Sequence, residues 1–185
     1  MKNLLADRHL VKIDKNMKWK IYLFFVSSIA LASCVDIPDF DDTPKIYYNS
    51  VDHYTDTSAL GNRVEKIIIS VDFEDGDGDL GASEAERANL QKYADGKGNY
   101  ELITCTFENN VWVERFSSLD SNKFFPELKP DGKSGPIKGR LDLNTEAPYS
   151  NSAKLVLHKW KVRIRDRSLR FSNQIMTDSI LVPRN

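Results

Sequence analysis

In several stretches of the chain hydrophobic side chains fall at every second position. Ile67, Ile69, Val71 and Phe73 alternate with Ile68, Ser70 and Asp72, the period of a strand with one buried face. Residues 100–107 and 111–116 repeat that pattern on either side of Glu108-Asn109-Asn110. Asn tolerates positive φ, so this predicts a hairpin. Further strands are expected over residues 135–144, with Ile137, Leu141 and Leu143, over residues 154–166, with Trp160, Val162 and Ile164 on one face, and over residues 173–182. One segment breaks the period. Ser83-Glu84-Ala85-Glu86 has the form of a capping box and predicts a short helix over 84–93, stopped by Asp95-Gly96 and Gly98. Residues 117–133 carry Phe124-Phe125-Pro126 and Pro130-Asp131-Gly132 and read as irregular. Short strands, frequent turns and one helix predict a mainly β fold, an antiparallel β-sandwich over residues 45–185.

The first 44 residues follow a different pattern. Lys18 and Lys20 precede an apolar run over 21–32 that ends in small residues, the three parts of a secretory signal. The run is shorter than the roughly 20 residues a membrane span needs. Met17 stands just before the signal, so residues 1–16 are expected to be a misassigned extension and 17–33 the signal peptide. Leu31-Ala32-Ser33-Cys34 resembles a bacterial lipobox, in which the Cys thiol is acylated and becomes the mature N-terminus. Several acyl chains on Cys34 exceed the two-signal threshold for stable anchoring. Residues 34–44, acidic and interrupted by Pro38 and Pro44, read as an extended tether. Cys34→Ser is expected to abolish acyl labelling and to move the protein out of the membrane fraction, as fractionation would show.

Composition narrows the classes further. With 185 residues, 41% hydrophobic and 29% charged, the chain has the make-up of one globular domain. Its formal charge of -1 conceals an uneven distribution: residues 1–33 hold six basic and two acidic side chains, which leaves 20 basic against 25 acidic beyond them, a charge of -5. Nucleic-acid binders carry a basic excess, so that class is set aside. Cys34 and Cys105 are the two cysteines, too few for a disulfide framework. Cys105 alternates with Ile103 and Phe107 and reads as a small buried hydrophobe.

Chemistry concentrates in Asp72-Phe73-Glu74-Asp75-Gly76-Asp77-Gly78-Asp79. Asp75, Asp77 and Asp79 offer carboxylates at every second residue, with glycines that let the backbone curl. Calcium takes six to eight oxygen ligands, which suits such a loop. With Asp75 at position one of an EF-hand loop, Asp77 and Asp79 fall at three and five, Ser83 at nine and Glu86 at twelve. Position six departs from that pattern, being Leu80, with the glycine one residue late at Gly81. Expected ligands of a structural Ca2+ are thus Asp75, Asp77, Asp79 and Glu86, with Asp72 and Glu74 as lesser candidates. The plain alternative is a solvated Asp/Gly turn.

Lys159, Lys161, Arg163 and Arg165 alternate outward along the strand that carries Trp160. They form either a solvated, edge-protecting face or a patch for an anionic partner. Catalytic motifs are lacking: there is no Gly-x-Ser-x-Gly or His-Glu-x-x-His, and His9, His53 and His158 stand apart.

The lipobox, Phe73-Glu74-Asp75-Gly76-Asp77-Gly78-Asp79-Leu80-Gly81, the Leu128-Lys129-Pro130-Asp131-Gly132-Lys133 segment with Ile137-Lys138-Gly139, and Ile164-Arg165-Asp166-Arg167 through Phe171-Ser172-Asn173 to Thr177 together resemble a family of Bacteroidetes outer-membrane lipoproteins of unknown function. The resemblance spans nearly all of the mature domain. It implies an immunoglobulin-like sandwich and brings no enzymatic activity. In its last hairpin Leu169-Arg170 stand where small residues or Asn are more usual. The acidic residues after Cys34 resemble the surface-export signal of such lipoproteins, though Val35 departs from its form, and the periplasmic side stays open. The expectation is a lipid-anchored, non-catalytic binding or structural module of the outer membrane. A glycan-binding accessory lipoprotein of a nutrient-uptake system, or an accessory subunit of an outer-membrane protein complex, are the alternatives.

Overall fold

A computed structural model describes residues 38–89, 91–148 and 154–183. The expectations on residues 1–37, namely the Met17 start, the signal peptide and the lipidated Cys34, lie outside the described residues.

Two antiparallel sheets pack face to face. The first has the order β1 (Lys45–Thr57), β2 (Arg63–Asp75), β5 (Ile137–Pro148). The second runs β4 (Val111–Arg115), β3 (Tyr100–Glu108), β6 (Leu155–Ile164), β7 (Ile175–Met176), and β8 (Ile180–Pro183) also pairs with β6. Two single-turn helices, α1 (Glu84–Arg87) and α2 (Ser118–Ser121), lie in the connections. The acidic loop follows β2, at the first point where the chain leaves one sheet for the other.

The period-two pattern explains the core. From β2, Ile67, Ile69, Val71 and Phe73 face Leu102 of β3 and Trp160, Val162 and Ile164 of β6, all buried in one cluster with Leu141 and Leu143 of β5. Each such side chain contributes roughly 1.5 to 3 kcal/mol on burial. Leu80 and Phe125 close the cluster at the acidic-loop end.

Four local departures from the sequence pattern have physical causes. Strand β1 carries no clear period because Ile46 is its one fully buried residue; pairing with β2 along Lys45–Thr57 holds it in place. Helix α1 stops at Arg87 instead of reaching Tyr93, since the Asn89 side chain accepts from the backbone N–H groups of Gln91 and Lys92 and starts a turn there. The strand expected over 173–182 splits into β7 and β8. Between them Thr177 Oγ1 accepts from the Trp160 N–H at 3.0 Å, replacing a ladder bond by a side chain. Cys105 is buried, but β3 turns Tyr100 and Leu102 into the core, and Cys105 lies opposite Lys159 on the outer face.

Candidate metal centre

The alternation of β2 runs one step past its last hydrophobic residue. Odd positions point inward, so Asp75 extends the row of Val71 and Phe73 and is fully buried. Neither of its oxygens has a hydrogen-bond partner. The Asp79 backbone N–H faces this carboxylate, the weakest influence on it, without closing a hydrogen bond. Asp77 and Asp79 each add one buried oxygen without a partner. Asp166, from the turn after β6, completes the group: Asp75, Asp79 and Asp166 bring carboxylate oxygens within 4.8 Å of one another.

The remaining oxygens are held in place. Asp79 Oδ2 accepts from Ser168 Oγ at 2.8 Å and from the Ser168 N–H at 3.1 Å. Asp166 accepts from the Arg170 N–H at 2.7 Å and from Arg170 Nε at 2.6 Å, and Arg170 Nη2 donates to Asp77. Arg167 donates from its backbone N–H and its Nε to the Asp79 carbonyl, and its guanidinium pairs with Glu127. Asp77 and Asp79 are thus oriented from outside through one oxygen while the other lacks a partner, Asp166 is held through both oxygens, and Asp75 through neither.

The electrostatics are strained accordingly. Burial, and then the neighbouring charges of Asp77, Asp79 and Asp166, push the Asp75 carboxyl up to about 7. Burial raises Asp166 as well. Burial pulls the Arg170 guanidinium down, but its bonds to Asp77 and Asp166 outweigh that and hold it above its ordinary value. Four aspartates around one bound guanidinium leave an excess of negative charge at a site whose inner members, Asp75 and Asp166, are buried. An all-oxygen set with this charge and no nitrogen or sulfur donor fits a hard divalent cation, and calcium best among them.

The glycines have a different use from the curl expected of them: they admit other segments. A Cβ on Gly76 would stand 2.3 Å from the Phe40 carbonyl oxygen, and one on Gly81, at φ +92°, 2.1 Å from that of Pro126. The loop is therefore a junction onto which the 38–44 segment and the 126–135 segment are packed.

Two of the expected ligands stand elsewhere. Glu86 is the third residue of α1, where its carboxylate accepts from the Ser83 N–H at 3.0 Å and pairs with Lys92 at 3.3 Å, so the capping box takes the side chain that an EF-hand would use at position twelve. Asp72 has the opposite parity to Asp75 and points outward, where it pairs with Arg140 at 2.9 Å and accepts from Asn49 at 3.0 Å. Glu74 also faces outward and accepts from Tyr47. Asp166 was missed, 91 positions along the chain from Asp75, and nothing in local spacing announces it. The turn that carries it holds Leu169 at φ +67°, a left-handed conformation that Asn adopts at less cost. Leu169→Asn is expected to raise stability by about 0.5 to 1 kcal/mol in urea denaturation; a loss would show that Leu169 packing outweighs the strain.

The basic ladder is largely neutralised. Lys161 pairs with Glu114 at 2.6 Å and Arg163 with Glu101 at 2.7 Å, while Lys159 sits 4.2 Å over the Trp112 ring. Arg165 is no part of an exposed patch: it is 2% exposed beneath the loop that follows α1. Trp160 is core and offers no sugar platform. No family model matches the chain, and neither the curated proteins nor the solved structures give a match.

Proposed function

We propose that the protein is a lipid-anchored, non-catalytic module of the outer membrane, a β-sandwich braced by one calcium ion at Asp75, Asp79 and Asp166 with Asp77 beside them. The observation that carries the ion is the Asp75 carboxylate, fully buried with both oxygens lacking a partner. A buried carboxylate without a hydrogen bond is costly, and a cation supplies what this one lacks. The lipobox at Leu31-Ala32-Ser33-Cys34 supports the anchor.

The histidines support a structural role. His53 lies 3.3 Å from Glu65, whose other oxygen accepts from Thr55 Oγ1, so both oxygens of that acid are engaged in a cross-strand network. His158 is half-buried, which lowers its pKa, and it meets the Thr106 hydroxyl. Neither forms a nucleophile and base pair with a Ser or Cys in the described residues.

The test is calcium titration by calorimetry of the mature chain after chelator treatment, at pH 7.5. Binding at one site is expected, weakened at least tenfold by Asp79→Asn and not reproduced by magnesium, which demands a tighter octahedral shell. Absence of binding heat at millimolar calcium would remove the ion from this reading.

A further inference from the structure

The stretch read from sequence as an extended tether is seated on the acidic loop over its second half. The Gly76 N–H donates to the Asp41 carbonyl at 2.9 Å, directly after the buried Asp75. The absent Gly76 side chain leaves the room that the Phe40 and Asp41 backbone fills. Asp41 Oδ1 accepts from the Thr43 N–H at 2.7 Å, which bends the chain towards β1. A second route runs through Arg170. Its guanidinium binds Asp77 and Asp166 and stands 3.9 Å from Asp42. Past these contacts the chain is held independently, because Ile46 exchanges two hydrogen bonds of 2.9 Å with the Asn173 side chain.

We infer that the metal centre is also a clamp on the membrane tether: calcium fixes residues 39–43 against Gly76 and Arg170, and its removal lets them go. This rests on the calcium reading above and extends it to regulation. Arg170 bridges three aspartates, Asp77, Asp166 and, at 3.8 Å, Asp79, and reaches Asp42 from the same position. One guanidinium leaves the four carboxylates of the centre repelling one another, which works against the loop whose Gly76 N–H holds Asp41. A divalent cation supplies the missing counter-charge and stabilises the closed loop together with both tether contacts. The consequence is a change of reach. From Cys34 to Phe40 the chain spans at most about 22 Å, whereas from Cys34 to Lys45 it spans up to about 40 Å. Calcium would thus set how far the sandwich stands from the bilayer.

Amide hydrogen exchange on the full mature chain, in millimolar calcium and in chelator, tests this. Calorimetry on the same sample records whether calcium binds. The expected result is at least tenfold slower exchange with calcium at Gly76 and across residues 41–43, measured relative to the amides of Ile69 and Val71, whose β2 hydrogen bonds lie far from the centre. Asp42→Asn should cut the protection of residues 41–43 severalfold. Calcium binding without a change at Gly76 and residues 41–43 would overturn the clamp and leave the ion site standing. No binding would overturn both.

Discussion

In chelator at pH 8, Asp75→Asn unfolds at a higher temperature than the native chain; millimolar calcium closes that gap. The Asp75 carboxyl is held near 7 against an ordinary value of 3.8, first by burial and then by Asp77, Asp79 and Asp166. An acid whose folded pKa lies above its unfolded one favours the folded state fully below the unfolded value, and that contribution disappears as pH rises through the folded value. The window is therefore from about 4 to about 7, and above it the ion-free protein forgoes on the order of 4 kcal/mol. Stability in chelator should fall with rising pH across this window, opposite to ordinary acid denaturation. Asn keeps the shape and carries no charge, so it removes the penalty; the expected gain is about 8 to 16 °C, at roughly 2 to 4 °C per kcal/mol for a domain of this size. Calcium at about 1,000 times its dissociation constant returns roughly 4.1 kcal/mol to the native chain and little to the variant, which cancels the difference. Thermal unfolding followed by circular dichroism in the two buffers checks both halves. A variant less stable than the native chain in chelator would mean that Asp75 has a partner the geometry does not provide.

The same residue shows what was legible in the sequence. The alternation of Ile67, Ile69, Val71 and Phe73 located β2 and, carried one step further, places Asp75 inside and Asp72 outside. Parity separates them where proximity in sequence grouped them. The EF-hand spacing gave weight to Glu86 because it counts positions along one segment, while a sandwich gathers its ligands from different crossings. Asp166 lies beside Asp75 because β2 and β6 end at the same edge of the sandwich: after β2 the chain crosses to the other sheet, and after β6 it turns back to β7 within its own. That closeness is a property of topology, absent from any local window. Strand β1 escaped for a related reason: with Ile46 as its one fully buried residue, it is positioned by backbone pairing with β2, which leaves no hydrophobic period to read. The strands β3, β4 and β6 were legible because each buries a row of side chains or closes a tight Asn turn, with Asn109 and Asn110 both at positive φ.

Arg165→Ala is expected to lower stability by about 3 kcal/mol or more, while Lys159→Ala on the same strand face changes it by less than about 0.5 kcal/mol. By alternation the two side chains are equivalent, both projecting from the outer face of the sheet. They differ in what lies above. The loop after α1 folds over Arg165, which donates from Nε to the Gly98 carbonyl at 3.1 Å, from Nη1 to Asp95 at 2.5 Å, and from Nη2 to the Lys97 carbonyl. Its guanidinium carbon lies 5.5 Å from the Tyr93 ring centre and 5.2 Å from that of Phe171. Truncation strands the Gly98 and Lys97 carbonyls beneath a loop that cannot slide to meet solvent, because Gly98 is wedged against Lys123, whose carbonyl oxygen would stand 2.0 Å from a Cβ there. Each stranded group costs about 1 to 3 kcal/mol, and the lost packing on two rings adds to it. Arg165→Lys should recover little, since one ammonium cannot reproduce a planar fork that bonds three acceptors. Urea denaturation of the three variants decides the matter. Equal effects of Arg165→Ala and Lys159→Ala would return Arg165 to the exposed basic row, whereas a large difference makes it the pin that holds the α1 loop over the second sheet, next to the turn that delivers Asp166 to the metal centre.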